Sequence, residues 1–145
     1  MVLELRKILL RNTTDNQRGR ATDFLGKHYV PALLRSGAVN AGLFGAAVAA
    51  DSPFALVAAS YPNYDAFDQV RAKMWGDPAF FKEVERATSG ALLYERMEVT
   101  LLKGFPCFPG IEVSGADASR PPRIFELRTY ESNNLITLGR KIKMF

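Results

Sequence analysis

The sequence is poor in the residues on which metal and redox sites most often depend. Its 145 residues include one cysteine, one histidine and one tryptophan. A lone cysteine cannot form an internal disulfide, and one cysteine with one histidine cannot supply the four ligands of a structural zinc site. We therefore expect no metal and no cofactor, and the single thiol of Cys107 suits a reducing compartment.

Long apolar runs are missing as well. The longest, residues 41–50, is interrupted by Gly42 and Gly45 and falls short of the ~18 residues that a membrane-spanning helix needs. A strand pattern begins almost at Met1, which leaves no room for a signal peptide. These features predict a cytoplasmic protein with no membrane span.

Sequence motifs for phosphate or acyl chemistry are also missing. There is no Walker sequence, no dinucleotide fingerprint and no nucleophile elbow. The net charge is +4, and the excess lies within residues 1–50. Those cations are spread over a predicted strand and helix instead of forming a dense basic stripe, so we predict no nucleic-acid partner. They include Arg6, Arg11, Arg18, Arg20, Lys27 and Arg35.

One short pattern occurs twice. Residues 3–8 read LELRKI and residues 125–130 read FELRTY, and each alternates in the way typical of a strand. Each is followed by polar turn residues and then by a helical pattern that contains Gly-Arg. The sequence therefore predicts one complete structural unit and the opening of a second, truncated one.

The order of the elements predicts the fold class. The pattern predicts strands at 3–10, 39–49, 54–61 and 94–102, a long helix ending near residue 36, a helix from residue 64 and a short helix at 79–88. This β-α-β-β-α-β order is the signature of a ferredoxin-like α+β fold.

The ends and interruptions of the helices can be predicted too. We expect Thr13 or Thr14 to cap the first helix and Asn63 to cap the second long one. Pro31 lies inside the first helical pattern and predicts a kink over residues 27–30, and Gly37 is a suitable terminator.

Three motifs in order resemble the NIPSNAP family: the Glu-Leu-Arg strand, VPALLRSG at 30–37 and GDPAF at 76–80. The resemblance covers about residues 2–103 and again 123–145. It implies a ferredoxin-like sandwich that forms a dimeric α/β barrel, and a biochemical role that is poorly defined in the family. Barrels of this type elsewhere include cofactor-free oxygenases, which is an analogy of fold only.

The predicted domain organisation follows from the repeat. Residues 1–103 form a NIPSNAP-like domain, residues 104–122 form a Pro/Gly-rich linker, and residues 123–145 begin a second unit. We expect residues 124–130 to form a strand that extends a sheet, and a helix to follow, with Leu135, Leu138, Ile142 and Phe145 packed on apolar surface. Because strands two and three are apolar on both faces, we expect a homodimer or pseudo-dimer packed through the sheet.

A cluster of charges is the first candidate site. We expect Glu4 and Arg6 of strand one to meet Arg96 and Glu98 of strand four on the side away from the helices. Leu3, Leu5, Met97 and Val99 would then face the helices. The cluster is either a paired structural layer or a site that binds an anion or carbonyl through Arg6 and Arg96.

His28 and several aromatic residues complete the candidates. His28 is either a half-buried structural histidine or a general base. Tyr29, Tyr61, Trp75 and Tyr94 are either core residues or an aromatic wall of a ligand site.

These alternatives lead to two functional hypotheses. The first is a non-enzymatic interaction or binding module that takes a small hydrophobic ligand. The second is a cofactor-free oxygenase or isomerase that acts on a small hydrophobic carbonyl compound with His28 as base. An enclosed cavity of a few hundred Å³ that includes His28 would favour the enzyme.

Overall fold

Four antiparallel strands form a single sheet in a computed structural model that describes residues 1–111 and 123–144. The strands are β1 (Val2–Leu9), β2 (Asn40–Gly45), β3 (Phe54–Tyr61) and β4 (Arg96–Lys103), in the order β2-β3-β1-β4. The predicted ferredoxin-like α+β fold is confirmed, with β1 between β3 and β4. β2 ends at Gly45, earlier than the predicted residue 49.

Five α-helices and one π-turn accompany the sheet in the described part of the chain. They are α1 (Gln17–Phe24), the π-turn (Leu25–Tyr29), α2 (Val30–Ser36), α3 (Tyr64–Trp75), α4 (Pro78–Thr88) and α5 (Leu135–Ile142). α1, the π-turn and α2 are continuous, and the Val30 amide donates to the Leu25 carbonyl in a bond that spans five residues. Pro31 has no amide hydrogen and crowds the preceding turn, so the irregularity predicted before it is this wider turn.

The helix termini follow local hydrogen bonding. Asn63 caps α3 by accepting from the Ala66 amide at 2.8 Å, as predicted. Gly37 ends α2 with φ 115°, a conformation that favours glycine. The predicted cap of α1 is wrong, because Asn16 takes that position with φ 56° and accepts from the Gly19 amide. Thr13 supports the turn by accepting from the Gln17 amide.

The two faces of β1 are the reverse of the sequence prediction. Val2, Glu4, Arg6 and Ile8 are buried towards the helices, and the alternate residues lie on the other, open face. Apolar residues occur in both alternating sets, so periodicity alone could not choose between them. The charged set is buried because Tyr61 of β3 provides a hydroxyl donor to Glu4 within the core.

The core lies between this face of the sheet and the helices. It is formed by apolar residues from β1, β3, α1, α2, α3 and α4. The largest fully buried members include Ile8, Leu33, Val57, Tyr61 and Met74.

Residues from two described stretches after β4, 104–111 and 123–130, contact the open face. The Ile111 amide donates to Ser60 Oγ at 3.0 Å, and the Phe125 ring meets Phe44 edge-on at 5.3 Å. Ser60 is fully buried although its side chain lies on the open face, in register with Leu3. Ile111 and Phe125 therefore cover part of the face that a lone sheet would leave exposed.

The tail agrees with its prediction only in its helix. Residues 124–130 form no strand, so that prediction is wrong for this chain. α5 is present with Asn134 as its cap, and Leu138 and Ile142 are half-buried while Leu135 is exposed. Phe145 and residues 112–122 of the predicted linker lie outside the described residues. Among the described helices, none has the length and apolar character needed to cross a bilayer.

Candidate functional site

A buried ion pair joins β1 to the core. Arg6 Nε donates to Glu4 Oε1 at 2.8 Å, and Arg6 Nη2 donates to the same oxygen. The other carboxylate oxygen, Glu4 Oε2, accepts from the Tyr61 hydroxyl at 2.7 Å. Residues two apart on a strand share a face, so β1 itself sets the pair side by side. Both oxygens of the carboxylate are therefore satisfied inside the core.

Tyr29 of the π-turn covers the guanidinium. Arg6 Cζ lies 5.6 Å from the centre of the Tyr29 ring, within the range of a cation–π contact. Burial raises the pKa of Tyr29 to about 12, and burial together with the bond to Glu4 raises the pKa of Tyr61. Both hydroxyls therefore keep their protons at neutral pH, and the Tyr61 hydroxyl donates its proton to Glu4.

Beyond Arg6 the helix-facing side of β4 is exposed at Val99 and Leu101 and half-buried at Met97. We call Met97, Val99 and Leu101 the β4 surface. Arg6 Nη1 donates to Met97 Sδ at 2.8 Å, and Val99 lies opposite Arg6 in the sheet register. Val99 is 43% exposed and Leu101 37%. The ion pair therefore stands at the boundary between the core and an uncovered apolar strip.

The donors of Arg6 are only partly used. A guanidinium has five N–H donors, and Arg6 gives two to Glu4 and one to a methionine sulfur, which is a weak acceptor. Among the described residues the remaining donors have no partner, and neither has the Tyr29 hydroxyl. Because 11% of the Arg6 side chain is exposed, an oxygen atom brought by a ligand could accept from it.

The other half of the predicted charge cluster is elsewhere. Arg96 and Glu98 lie on the open face of β4, where they pair with one another at 2.6 Å. Glu98 is in register with Lys7, and Arg6 with Val99. The predicted single cluster is therefore wrong, because residues of even number on β1 face residues of odd number on β4.

The predicted aromatic residues also separate. Tyr29 and Tyr61 join the ion pair, whereas Trp75 is half-exposed on α3. Phe80 lies between them, with its ring centre 5.8 Å from that of Trp75 and 6.1 Å from that of Tyr29. Tyr94 lies just before β4 and remains partly exposed.

His28 lies in a different place. It lines a cleft of about 190 Å³ between α1, the π-turn and α4. Its Nε2 is 3.7 Å from a Glu83 carboxylate oxygen and 3.4 Å from Arg86 Nη2. Both neighbours of the imidazole are partly exposed, so the cleft is not the enclosed cavity that would favour an enzyme.

Two contributors were missed by sequence reasoning. Met97 was assigned to packing alone, because nothing in the sequence marks its sulfur as a partner of Arg6. Gln17 is buried and ties the end of β1 to the segment before β4, accepting from the Arg11 amide at 2.7 Å and donating to Glu95 at 3.1 Å. Within residues 1–111 and 123–144 no group of side chains could hold a metal ion.

The architecture is a ferredoxin-like α+β sandwich. Solved structures with a similar fold include three NIPSNAP family or domain proteins. A NIPSNAP family protein from Agrobacterium tumefaciens has a TM-score of 0.61 and 16% identity, over 74% of this chain and 96% of that chain. An uncharacterised NIPSNAP domain protein from Burkholderia xenovorans has a TM-score of 0.59 and 15% identity, over 75% and 99%. A second A. tumefaciens NIPSNAP family protein, of unknown function, has a TM-score of 0.54 and 16% identity, over 70% and 86%.

The chain thus has a NIPSNAP-like ferredoxin-like fold. No protein-family model matches the sequence, and no curated protein matches it. Identities of this size establish the fold and leave the activity to be argued from the site.

Proposed function

We propose that this chain is a non-enzymatic binding module for a small apolar compound with a carbonyl or carboxylate oxygen. The observation that supports the proposal is the incompletely bonded Arg6 guanidinium beside the exposed β4 surface. The oxygen of the ligand would accept from Arg6, and its apolar body would lie on Val99 and Leu101. Small-molecule sites commonly combine an apolar wall with a few polar groups that fix orientation.

Charge supports this choice of ligand. Glu4 already balances the charge of Arg6, so a ligand need not bring a full negative charge. A ligand cation would be repelled by the guanidinium, and both oxygens of the neighbouring Glu4 carboxylate are already bonded. Glu4 and Tyr61 therefore act by holding Arg6 in place, while Arg6 and Tyr29 offer the donors.

The experiment compares two faces of one strand. Val99 faces the ligand side of β4, and Leu102, 41% exposed, faces the other. We expect octanoate, and not octylammonium, to raise the melting temperature of the wild-type chain. Val99→Lys should abolish that shift, whereas Leu102→Lys should retain it. A shift that survives Val99→Lys, or the absence of any shift with octanoate, would contradict the proposal.

Mass spectrometry of the purified protein provides the independent test. A small compound that co-purifies with the wild-type chain should be lost from Val99→Lys and kept by Leu102→Lys. Its chemistry would show directly whether the head group is a carbonyl or a carboxylate.

The enzymatic alternative uses His28. The proximity of Glu83 supports a general base, because a carboxylate 3.7 Å from Nε2 can help to position the imidazole. A cofactor-free oxygenase or isomerase of small carbonyl compounds would then act in the cleft of about 190 Å³. Against it, Arg86 also approaches Nε2, the atom that would take the proton. Turnover abolished by His28→Gln would establish this alternative over the first.

Assembly is the remaining part of the proposal. Leu3, Leu5 and Leu102 give the open face an apolar strip next to the partly covered area, which supports packing on a second copy or a second unit of the same chain. Light scattering at micromolar concentration tests it, and Leu102→Lys should then favour the monomer. The free, exposed thiol of Cys107 fits the cytoplasmic location that completes the proposal.

A further inference from the structure

The cleft beside His28 carries a second, independent binding inference. It lies between α1, the π-turn and α4 and has a volume of about 190 Å³. None of its lining residues belongs to the Arg6 cluster or to the β4 surface. Those that the argument uses are Arg20, Phe24, His28, Arg86, Ala87 and Leu93.

Two guanidinium groups line this cleft, and each has N–H donors that are not used in the bonds described below. Arg20 uses Nε and Nη2 to hold Asp15 and the Leu92 carbonyl. Arg86 uses Nε on Glu83 and Nη2 on the histidine. In the described part of the chain, Nη1 of each arginine has no hydrogen-bond partner. Two helices therefore bring unused charged donors to one small space.

One side of the lining is apolar and includes an aromatic ring. The His28 ring stacks on Phe24 with the centroids 6.1 Å apart and the planes 24° from parallel. Phe24 and Leu93 are almost completely buried and provide the apolar side of the cleft. A planar ring fits such a wall better than a compact, fully hydrated ion does.

The carboxylates around the cleft limit the charge of the ligand. Asp23 at its margin pairs with Lys27 at 2.7 Å, Asp15 with Arg20 at 2.6 Å, and Glu83 with Arg86 at 2.7 Å. Each arginine is thus already balanced, and a dianion would meet several carboxylates. A singly charged ligand with two acceptor oxygens matches the unused donors without that repulsion.

We propose that this cleft binds a small aromatic carboxylate. Its two oxygens accept from the arginines of α1 and α4, and its ring lies against Phe24 and Leu93. The site does not depend on the ligand proposed for Arg6, since the two share no residue.

The test uses the only histidine of the chain as a reporter. In a proton NMR titration, benzoate should move the His28 ring resonance in a saturable manner, with a dissociation constant in the millimolar range or tighter, on the order of 1 mM. Acetate should bind at least several-fold more weakly, because it lacks the ring. Inorganic phosphate binding more tightly than benzoate, or no saturable shift with benzoate, would overturn the proposal.

Two matched arginine variants test whether the benzoate carboxylate binds at Arg86. Arg86→Gln should weaken benzoate binding roughly tenfold or more, because it removes a charged donor. Arg18→Gln changes an exposed arginine of α1 outside the cleft and should leave binding unchanged. Equal affinity in the wild type and in Arg86→Gln would contradict the proposal, and circular dichroism verifies that both variants fold.

A third variant separates this site from the Arg6 cluster. Val99→Lys should leave the benzoate titration of His28 unchanged, even where it abolishes the response to octanoate. Loss of both responses in that variant would show that the two ligands share one site, which would overturn the assignment to the cleft.

Discussion

The same three residues, Glu-Leu-Arg, occur in two very different surroundings. Arg6 pairs with Glu4 and Arg128 pairs with Glu126, in each case two residues apart. The side-chain exposures are 11% and 2% for the first pair but 60% and 66% for the second. The first pair stands on a central strand beneath Tyr29, and the second on a segment that forms no strand.

The local sequence is enough to form the Glu–Arg pair, whereas the fold decides how much the pair contributes to stability. Side chains two apart on an extended chain lie on one side of it, so both copies can form. Only the first copy is removed from water, and there the loss of one partner would leave an uncompensated buried charge. A solvated pair has water as a substitute for either partner.

The largest expected effect is that of Arg6→Ala. This change leaves the Glu4 carboxylate buried with only the Tyr61 hydroxyl as a donor, and we expect a loss of about 3–5 kcal/mol in the free energy of unfolding. Urea denaturation followed by circular dichroism measures it. A loss below about 1 kcal/mol would show that the pair is solvated and would remove the distinction between the two copies.

The next effect is that of Tyr61→Phe. The change keeps the ring, which packs edge-on against Phe67 at 5.2 Å, but deletes the donor to Glu4 Oε2. A hydrogen bond to a charged group typically contributes about 1.5–3 kcal/mol, so we expect a loss in that range by the same denaturation. Tyr64→Phe, on an exposed tyrosine, is the matched control and should be neutral.

Alkaline pH should lower the unfolding free energy through Tyr29, which covers the buried pair. Burial raises the pKa of Tyr29 from 10.0 to about 12. The contribution of the neutral hydroxyl to the unfolding free energy is therefore complete below pH 10 and is lost as the pH rises from 10 through 12. Linkage then gives a loss of about 1 kcal/mol between pH 9 and pH 11 from this group. Tyr29→Phe should show a smaller loss over the same interval, and an identical loss would mean that the hydroxyl titrates as it does in the unfolded chain.

The smallest effects are expected at the exposed pairs. Arg96→Ala removes a partner of Glu98 on the open face and should change the unfolding free energy by less than about 1 kcal/mol. Arg128→Ala should leave the denaturation curve unchanged. If Arg128→Ala destabilised the chain as much as Arg6→Ala, the second copy would be buried against another surface in solution.

The order of the elements could be predicted from the sequence because hydrophobic period and turn residues are local signals. Asn63, Gly37 and Pro31 each mark a local event that the structure contains. The direction of each face of β1 could not be predicted, since Leu3 and Leu5 offer an apolar set as good as Val2 and Ile8. That choice depends on Tyr61, which is remote in sequence and supplies the donor for the buried carboxylate.

The candidate site could be predicted only in part, because local signals identify its residues but do not show which strand faces meet. The sequence patterns predict a site that includes Glu4, Arg6, Tyr29 and Tyr61, and these four do meet. Arg96 and Glu98 are predicted to join them but lie on the other face, which corresponds to an error of one residue in register. Because side chains alternate along a strand, a shift of one residue moves every side chain to the opposite face. The place of His28 in a separate cleft depends on α4, which no local pattern connects with α1.

The π-turn also fixes the angular relation between the two halves of the first helical segment. Each residue of an α-helix advances about 100° around the axis, and a π-turn holds one residue more than an α-turn would. Deleting one residue from this turn would rotate α2 by about that angle relative to α1. Ala32 and Leu33, each 1% exposed, would then leave the core. Tyr29 and His28 could also no longer occupy their two places together, one over Arg6 and the other in the cleft.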